Sequence, residues 1–459
     1  MLARTGLRTL CRRQAPARAA PTPWRRFHLP VPTNEPLAGT DGSGVPWVFL
    51  LQVVLGLPSA LWFYKCLMLV LFQRRIIYLP SVPPGTRDES LADGERTRER
   101  DSSLSGMNWQ EVRVESTAPT RWLRRKVELR GVELSWKEDE TARQRSDIAG
   151  TTAGRRHVVV VYLQGNAGTP LLRIPLFRQL LRPDAPSRAS SSPSPPLSPK
   201  VTLLAFAPRT FWLSTRSTPT EIAVLADYAA ALAYAREKHG PGATYILKGH
   251  SLGGAATVLL LEQLGIPPFP PRDPSSSSAP AVDAVILENP LPSIPYMVRA
   301  LYPQRWLPYH YLGPLAFDRW DATGRLDSLA AARQHSLNRT DGVGRRDSLA
   351  ADKQQRPSSS SPSTTSHSLS PPPVPSLWIR SGRDEIIPHG ADGGVRKMYE
   401  DWVAAAGGTE QARAKWVDVP GALHDTAFTE RRWREEVRGF LEEVGRTKAK
   451  KVAGRGDSP

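Results

Sequence analysis

Ser251 stands in Gly249-His250-Ser251-Leu252-Gly253-Gly254, in surroundings that suit a hydroxyl raised for nucleophilic attack. Ahead of it, Thr244-Tyr245-Ile246-Leu247-Lys248 is β-branched and aromatic, as a buried strand requires. Behind it, Ala255 to Leu264 is rich in helix formers. Strand, tight glycine turn and helix are the context in which G-x-S-x-G is a nucleophile elbow. The glycines permit a strained turn that lifts the hydroxyl clear of the sheet. Outside that context the pattern has little weight, and a Gly-rich strand-to-helix turn explains it equally well. An acyl-transfer serine also needs a base within hydrogen-bond reach and an acid to orient that base.

On the fold that carries this elbow, the partners follow in chain order serine, acid, histidine. Asp384 lies in the turn after the apolar run Ser376 to Ile379, where an orienting carboxylate belongs. Glu385 is the rival acid, and capping of the next turn is the plain alternative. His424 follows Trp416 to Val419, in the loop after the last expected strand. The other histidines fit less well. His28 lies in a basic leader, His335 and His367 in a Ser/Pro-rich insertion, His239 in a turn, and His157 at a strand start. His250 adjoins the serine, and neighbours on a tight elbow point apart. His310 precedes the acid, and His389 follows it too closely. The catalytic set is therefore Ser251, Asp384 and His424.

An oxyanion site needs main-chain donors fixed where negative charge develops. One is the amide of Leu252, next to the nucleophile. The other is assigned to Asn166, in Gln164-Gly165-Asn166-Ala167-Gly168 after a strand. A simple turn accounts for those glycines but not for their place relative to the elbow.

These residues need a scaffold of alternating strands and helices. Lys126–Leu129 and Val132–Trp136 around Arg130-Gly131 predict a hairpin. Strands are expected at His157–Leu163, Val201–Phe206, Thr244–Lys248, Ala284–Leu287, Ser376–Ile379 and Lys415–Val419. Helices are expected at Pro175–Leu181, Glu221–Lys238, Ala255–Leu264, Gly393–Ala405 and Glu430–Glu443. The alternation predicts an α/β protein with a mostly parallel sheet covered on both faces. Three stretches rich in Ser, Pro and Arg, near 183–200, 267–280 and 323–373, read as disordered insertions. The third holds a near-repeat, 324–331 against 344–351, too short for a solenoid.

The chain has 459 residues, 44 prolines and a net charge of +17, which invites a nucleic-acid reading. About half of that charge sits at the two ends. Residues 1–44 carry seven Arg against Glu35 and Asp41, and 446–459 carry five cations against Asp457. No zinc-finger spacing or RNP-like aromatic motif accompanies it, so nucleic acid is not expected. Only Cys11 and Cys66 occur, both ahead of the catalytic region, so neither a disulfide framework nor a thiolate metal site is available. No metal or cofactor is expected.

Residues 1–30 are Arg-rich and acid-free, which fits a mitochondrial presequence or a basic tail ahead of a signal anchor. Val45 to Phe72 is an apolar block whose only charge is Lys65, long enough to span a bilayer. The expected organisation is a basic segment 1–44, an anchor at 45–75, a catalytic domain at 76–445 and a basic disordered tail at 446–459. Single-pass insertion into the mitochondrial inner membrane or an endomembrane fits these features.

Six segments recur in one order: Phe72 to Pro80, the Gly-Asn-Ala-Gly loop, Gly-His-Ser-Leu-Gly-Gly, Glu288-Asn289-Pro290, Tyr302 to Pro308, and Ser381 to Glu385. From about 47 to 443, insertions excluded, the chain resembles the α/β-hydrolase domain-containing protein 13 group of membrane-anchored serine hydrolases. The resemblance implies an α/β-hydrolase fold, one N-terminal membrane helix and a Ser251–Asp384–His424 triad. Two departures stand out. Gln164 replaces the usual histidine before Gly-Asn-Ala-Gly, and Ala207 to Trp212 replaces a Tyr-Arg-Gly-Tyr-like turn.

The expected chemistry is hydrolysis of an ester or thioester through an acyl-enzyme, on a lipid or acylated substrate favoured by the anchor. The aromatic stretch Pro290 to Trp320 either lines an acyl pocket or packs helices. The rival functions are a serine peptidase of the same fold and a catalytically silent membrane scaffold. Protein partners are not legible.

Overall fold

The computed structural model describes residues 46–93, 96, 106–119, 124–137, 156–182, 199–271, 282–335, 373–388 and 394–453. The chain divides at Ser59 into an N-terminal unit, described from residue 46, and a second unit that holds the sheet. The strands are β1 Met107–Pro119, β2 Arg124–Trp136, β3 His157–Leu163, β4 Lys200–Phe206, β5 Thr244–His250, β6 Ala284–Glu288, β7 Ser376–Ser381 and β8 Ala414–Val419. They form one sheet in the order β1-β2-β4-β3-β5-β6-β7-β8. β2 pairs antiparallel with β1 and β4, and from β4 to β8 every pairing is parallel.

Helices between β3 and β8 fill the crossovers that parallel pairing demands, and others precede β1 or follow β8. They are α1 Trp47–Leu71, α2 Gln73–Ile77, α3 Ile174–Leu181, α4 Glu221–His239, α5 Leu252–Leu264, α6 Ile294–Leu301, α7 over 322–335, α8 Val395–Ala406, α9 Thr409–Ala412 and α10 Arg431–Ala453. α4 packs with α5, and α3 packs with α10, so the sheet is covered on both faces. That is why Val158 to Leu163 in β3 reads as a continuous apolar run and why every residue of β5 is buried. Local signals set the helix ends. Thr220 Oγ1 caps α4 by accepting from the Ala223 amide at 3.2 Å, and Gly265 closes α5 in the left-handed region.

The expected hairpin at Arg130-Gly131 is not formed. β2 runs unbroken through it, and its antiparallel partner is β1, with Gly131 opposite Val112 on one side and Phe206 on the other. A Cβ on Gly131 would stand 2.6 Å from the Phe206 ring and 2.9 Å from the Ala205 carbonyl. The glycine makes room for a neighbouring strand rather than turning the chain.

Three other boundaries move. α7 takes residues 322–335 out of the third insertion, with Leu326 fully buried and Asp327 bonded to Lys397. Ile266 and Phe269 are likewise buried at the start of the second. Residues 446–453, expected in a disordered tail, continue α10, and Lys448 Nζ reaches Asp283 at 2.7 Å. Insertion residues 183–198, 272–281 and 336–372, the leader 1–45 and the stretch from 454 lie outside the described residues.

α1 is long and apolar enough to cross a membrane. Every residue from Pro46 to Lys65 is exposed. From Ala60 onward the helix joins the second unit, where Trp62 packs on Trp306 and the Lys65 ammonium lies over the Tyr309 ring.

Candidate active site

Four loops meet at the carboxyl ends of the parallel strands, where ligands of open α/β sheets bind. They follow β3, β5, β7 and β8, and they carry the expected residues. Ser251 joins β5 to α5 with φ 54° and ψ −119°, a conformation non-glycine residues seldom adopt. The framework holds that strain: the Ser251 amide donates to the Glu288 carbonyl at 3.1 Å, and its carbonyl accepts from Leu291 at 2.9 Å. The flanking glycines are required by space. A Cβ on Gly253 would stand 2.0 Å from the Leu163 carbonyl oxygen, and one on Gly249 would stand 2.4 Å from the Gly253 carbonyl.

Asp384 and His424 are brought together. His424 Nδ1–H donates to Asp384 Oδ2 at 2.8 Å, with both side chains buried. Burial pushes the Asp384 carboxyl up. The His424 hydrogen bond and charge, with the amides of Ile387 and Ile386, outweigh that and hold it below the usual carboxylate range. Glu385, the rival acid, plays a different part, since its Oε2 accepts from the His424 main-chain amide at 3.0 Å. With Nδ1 donating to a carboxylate, the neutral His424 ring presents Nε2 as its free acceptor. No hydrogen bond joins His424 to the Ser251 hydroxyl, a contact that is often loose before substrate binds.

Leu252 follows the serine directly, and Asn166 lies in the loop whose Gly165 approaches it. The Leu252 amide opens α5, where first-turn amides have no helical acceptor. The 164–168 loop passes over the elbow, and a Cβ on Gly165 would lie 3.5 Å from that of Ser251. A strap following α2 holds this loop in place. Leu79 donates to the Asn166 carbonyl at 2.8 Å, and Gly168 donates to the Val82 carbonyl at 2.8 Å. Behind the loop, Gln164, Gly165, Leu252, Tyr228, Trp320 and Tyr78 line a small cavity. Gln164 is buried, and its side-chain nitrogen has no hydrogen-bond partner.

Three contributors escaped the sequence reading. His250 does not point away from the site: its Nε2 lies 3.1 Å from the His424 carbonyl oxygen and 4.9 Å separates the ring centroids. Asn289, at φ 43°, donates to that same carbonyl at 2.9 Å and accepts from the Ser381 amide at 2.7 Å. Arg173 on the β3–α3 turn pairs with Asp425 at 3.0 Å. His250, His424 and Asp425 place potential ligand atoms within 4.8 Å of one another. The Arg173 guanidinium already serves Asp425, and His250 donates to a carbonyl, so this trio is an ion-pair and hydrogen-bond network. Among the sequence cues, Glu288-Asn289-Pro290 was the one available signal for Asn289.

The strand order, with an antiparallel leading pair and an elbow after β5, decides the architecture. The chain has the α/β-hydrolase fold. No protein-family model matches the chain, and no curated protein sequence does. Solved structures resemble it at low identity. An α/β-hydrolase from Vibrio vulnificus is 12% identical over 78% of this chain and 88% of that one, with a TM-score of 0.42. A fungal esterase from Rhizomucor miehei is 11% identical over 79% and 92%, with a TM-score of 0.38. An esterase from Pyrobaculum calidifontis is 15% identical over 78% and 94%, with a TM-score of 0.35. Such likeness reaches no further than the fold, which rests on the chain's own strand order.

Proposed function

We propose that this protein is a membrane-anchored serine hydrolase that cleaves an ester or thioester through an acyl-enzyme, as its sequence resemblance to the α/β-hydrolase domain-containing protein 13 group also implies. The observation that carries the reading is the buried Asp384–His424 hydrogen bond, formed by loops at the same sheet end as the strained Ser251.

In this reading His424 Nε2 takes the Ser251 proton as Oγ attacks the carbonyl carbon. The imidazolium then gives that proton to the leaving group. Water, deprotonated by the same nitrogen, releases the acyl group and restores Ser251. Asp384 holds the ring in its tautomer and stabilises the cation that forms. The amides of Leu252 and Asn166 receive the tetrahedral oxyanion, each contributing about 3 kcal/mol of barrier lowering. α1 supports a lipid or acylated substrate, since a bilayer would deliver such molecules beside the domain.

Labelling with a fluorophosphonate probe tests this directly. Wild-type protein labels, Ser251→Ala does not, and His424→Ala labels far more slowly. Folded wild type that stays unlabelled would sink the hydrolase reading. Hydrolysis of lipid esters against peptide amides then separates lipase from peptidase action.

A further inference from the structure

α1 ends at Leu71, and there a groove of about 750 Å³ opens in the second unit. Leu71 and Phe72, the Tyr78–Val82 strap and residues 216–219 line it. Its lining contains Arg74, Arg75 and Arg216 and no carboxylate among the described residues. Arg74 is committed to Asp318 at 3.0 Å. Arg75, exposed and stacked on Phe72, and Arg216 have no acidic partner among the described residues. Arg87 lies beside Arg216, outside the lining: burial and Arg216 hold its guanidinium below the usual range, and Asp88 offsets part of that.

A groove with apolar walls and two guanidiniums that have no acidic partner among the described residues suits an anion carried on an apolar body. Twenty-five residues at about 1.5 Å each are enough to cross a hydrocarbon core of about 30 Å, and a membrane-spanning α1 would bring Leu71 and Arg74 towards headgroup level. Arginines at that level attract anionic lipids. We propose that the groove binds the phosphate headgroup of an anionic membrane phospholipid, with Arg75 and Arg216 as its ligands. The assignment rests on the anchoring part of the function proposed above and not on the serine chemistry. The bound headgroup would sit on the strap that holds the 166–168 loop, one residue, Tyr78, from the cavity behind Leu252.

The test uses full-length Ser251→Ala protein in detergent micelles with radiolabelled phosphatidylglycerol, so that no lipid is consumed. Wild-type arginines should retain about one lipid per chain, and Arg75→Gln/Arg216→Gln should weaken binding at least about tenfold. Arg431→Gln, on the exposed start of α10, should change nothing. Melting temperatures of all variants check that they fold. Equal binding by the double variant would overturn the proposal, as would equal binding of zwitterionic phosphatidylcholine. Competition by inorganic phosphate at the same concentration would overturn the lipid assignment in favour of a free-phosphate site. Carbonate extraction of the full chain from membranes reports the anchor separately, so its failure is distinguishable from an empty groove.

Discussion

Asn289 Nδ2 donates to the main-chain carbonyl of His424 at 2.9 Å, while its Oδ1 accepts from the amide of Ser381. One side chain thus ties the loop after β8 to the end of β7, and the loop after β6 to both. Asn289→Ala removes these buried bonds and leaves a non-glycine residue at φ 43° without its local hydrogen bonds. The expected stability loss is about 1–3 kcal/mol. Displacing His424 by as little as 1 Å should slow fluorophosphonate labelling about 100-fold. A variant that is destabilised yet labels at the wild-type rate would show that Asn289 serves folding and does not position His424.

Asp384 and Glu385 are adjacent carboxylates with separable roles. Asp384 accepts from the His424 ring, and Glu385 accepts from its main-chain amide. Asp384→Asn should lower kcat for a p-nitrophenyl ester by about 10⁴, because the amide favours the wrong imidazole tautomer. Glu385→Gln keeps an acceptor for the amide and should lower kcat far less. Comparable losses in the two variants would show that Asp384 is not the orienting acid.

The elements that carry the site were legible because each has a strong local signature. Val158 to Leu163 in β3 is an unbroken apolar run, Tyr245 to Leu247 gives β5 an apolar stretch, and the elbow needs its glycines for reasons of space. Loop position and chain order singled out Asp384 and His424, two residues that the fold brings within hydrogen-bond distance. β1 was missed because its alternating Trp109, Glu111, Arg113 and Glu115 make sense only opposite β2. Gly131 misled for a related reason: its meaning lies in Phe206, a residue 75 positions away that no local window contains. His250 was set aside on the orientation of neighbours at a turn. Its role depends on the His424 backbone, which arrives only with the completed fold.

Lys248 and Glu288, on neighbouring strands, form a fully buried ion pair at 2.6 Å, and Trp433 Nε1 donates to the same carboxylate at 3.0 Å. Burial would raise the Glu288 carboxyl, but Lys248 holds it below the ordinary range. Lys248→Met leaves that charge unpaired and should cost about 3–5 kcal/mol. Lys248→Met/Glu288→Gln removes the charge while keeping an acceptor for Trp433, and should recover most of the loss. Denaturant unfolding of the two variants measures the difference. A double variant no more stable than the single one would show that the pair does not act through charge compensation.

His250 gives the fold an acid sensitivity of definite sign. Burial, with the positive charge of Arg173, holds its imidazole well below the ordinary value of about 6.5. As pH falls through about 6.5 the unfolded chain takes a proton that the folded chain refuses. The unfolded state then binds more protons, so stability falls with pH by up to about 1.4 kcal/mol per unit. Asp384 and Asp425 have depressed folded values, so their contribution is complete above about pH 4 and is lost only below it. His239, half-buried and also lowered by burial, adds a slope of the same sign. His250→Gln keeps a donor for the His424 carbonyl and retains His239. Between pH 7 and pH 5 its melting temperature should therefore fall less steeply than that of the wild type. Equal slopes would mean that His250 accepts its proton inside the folded protein, and the neutral donor assigned to the His424 carbonyl would have to be withdrawn.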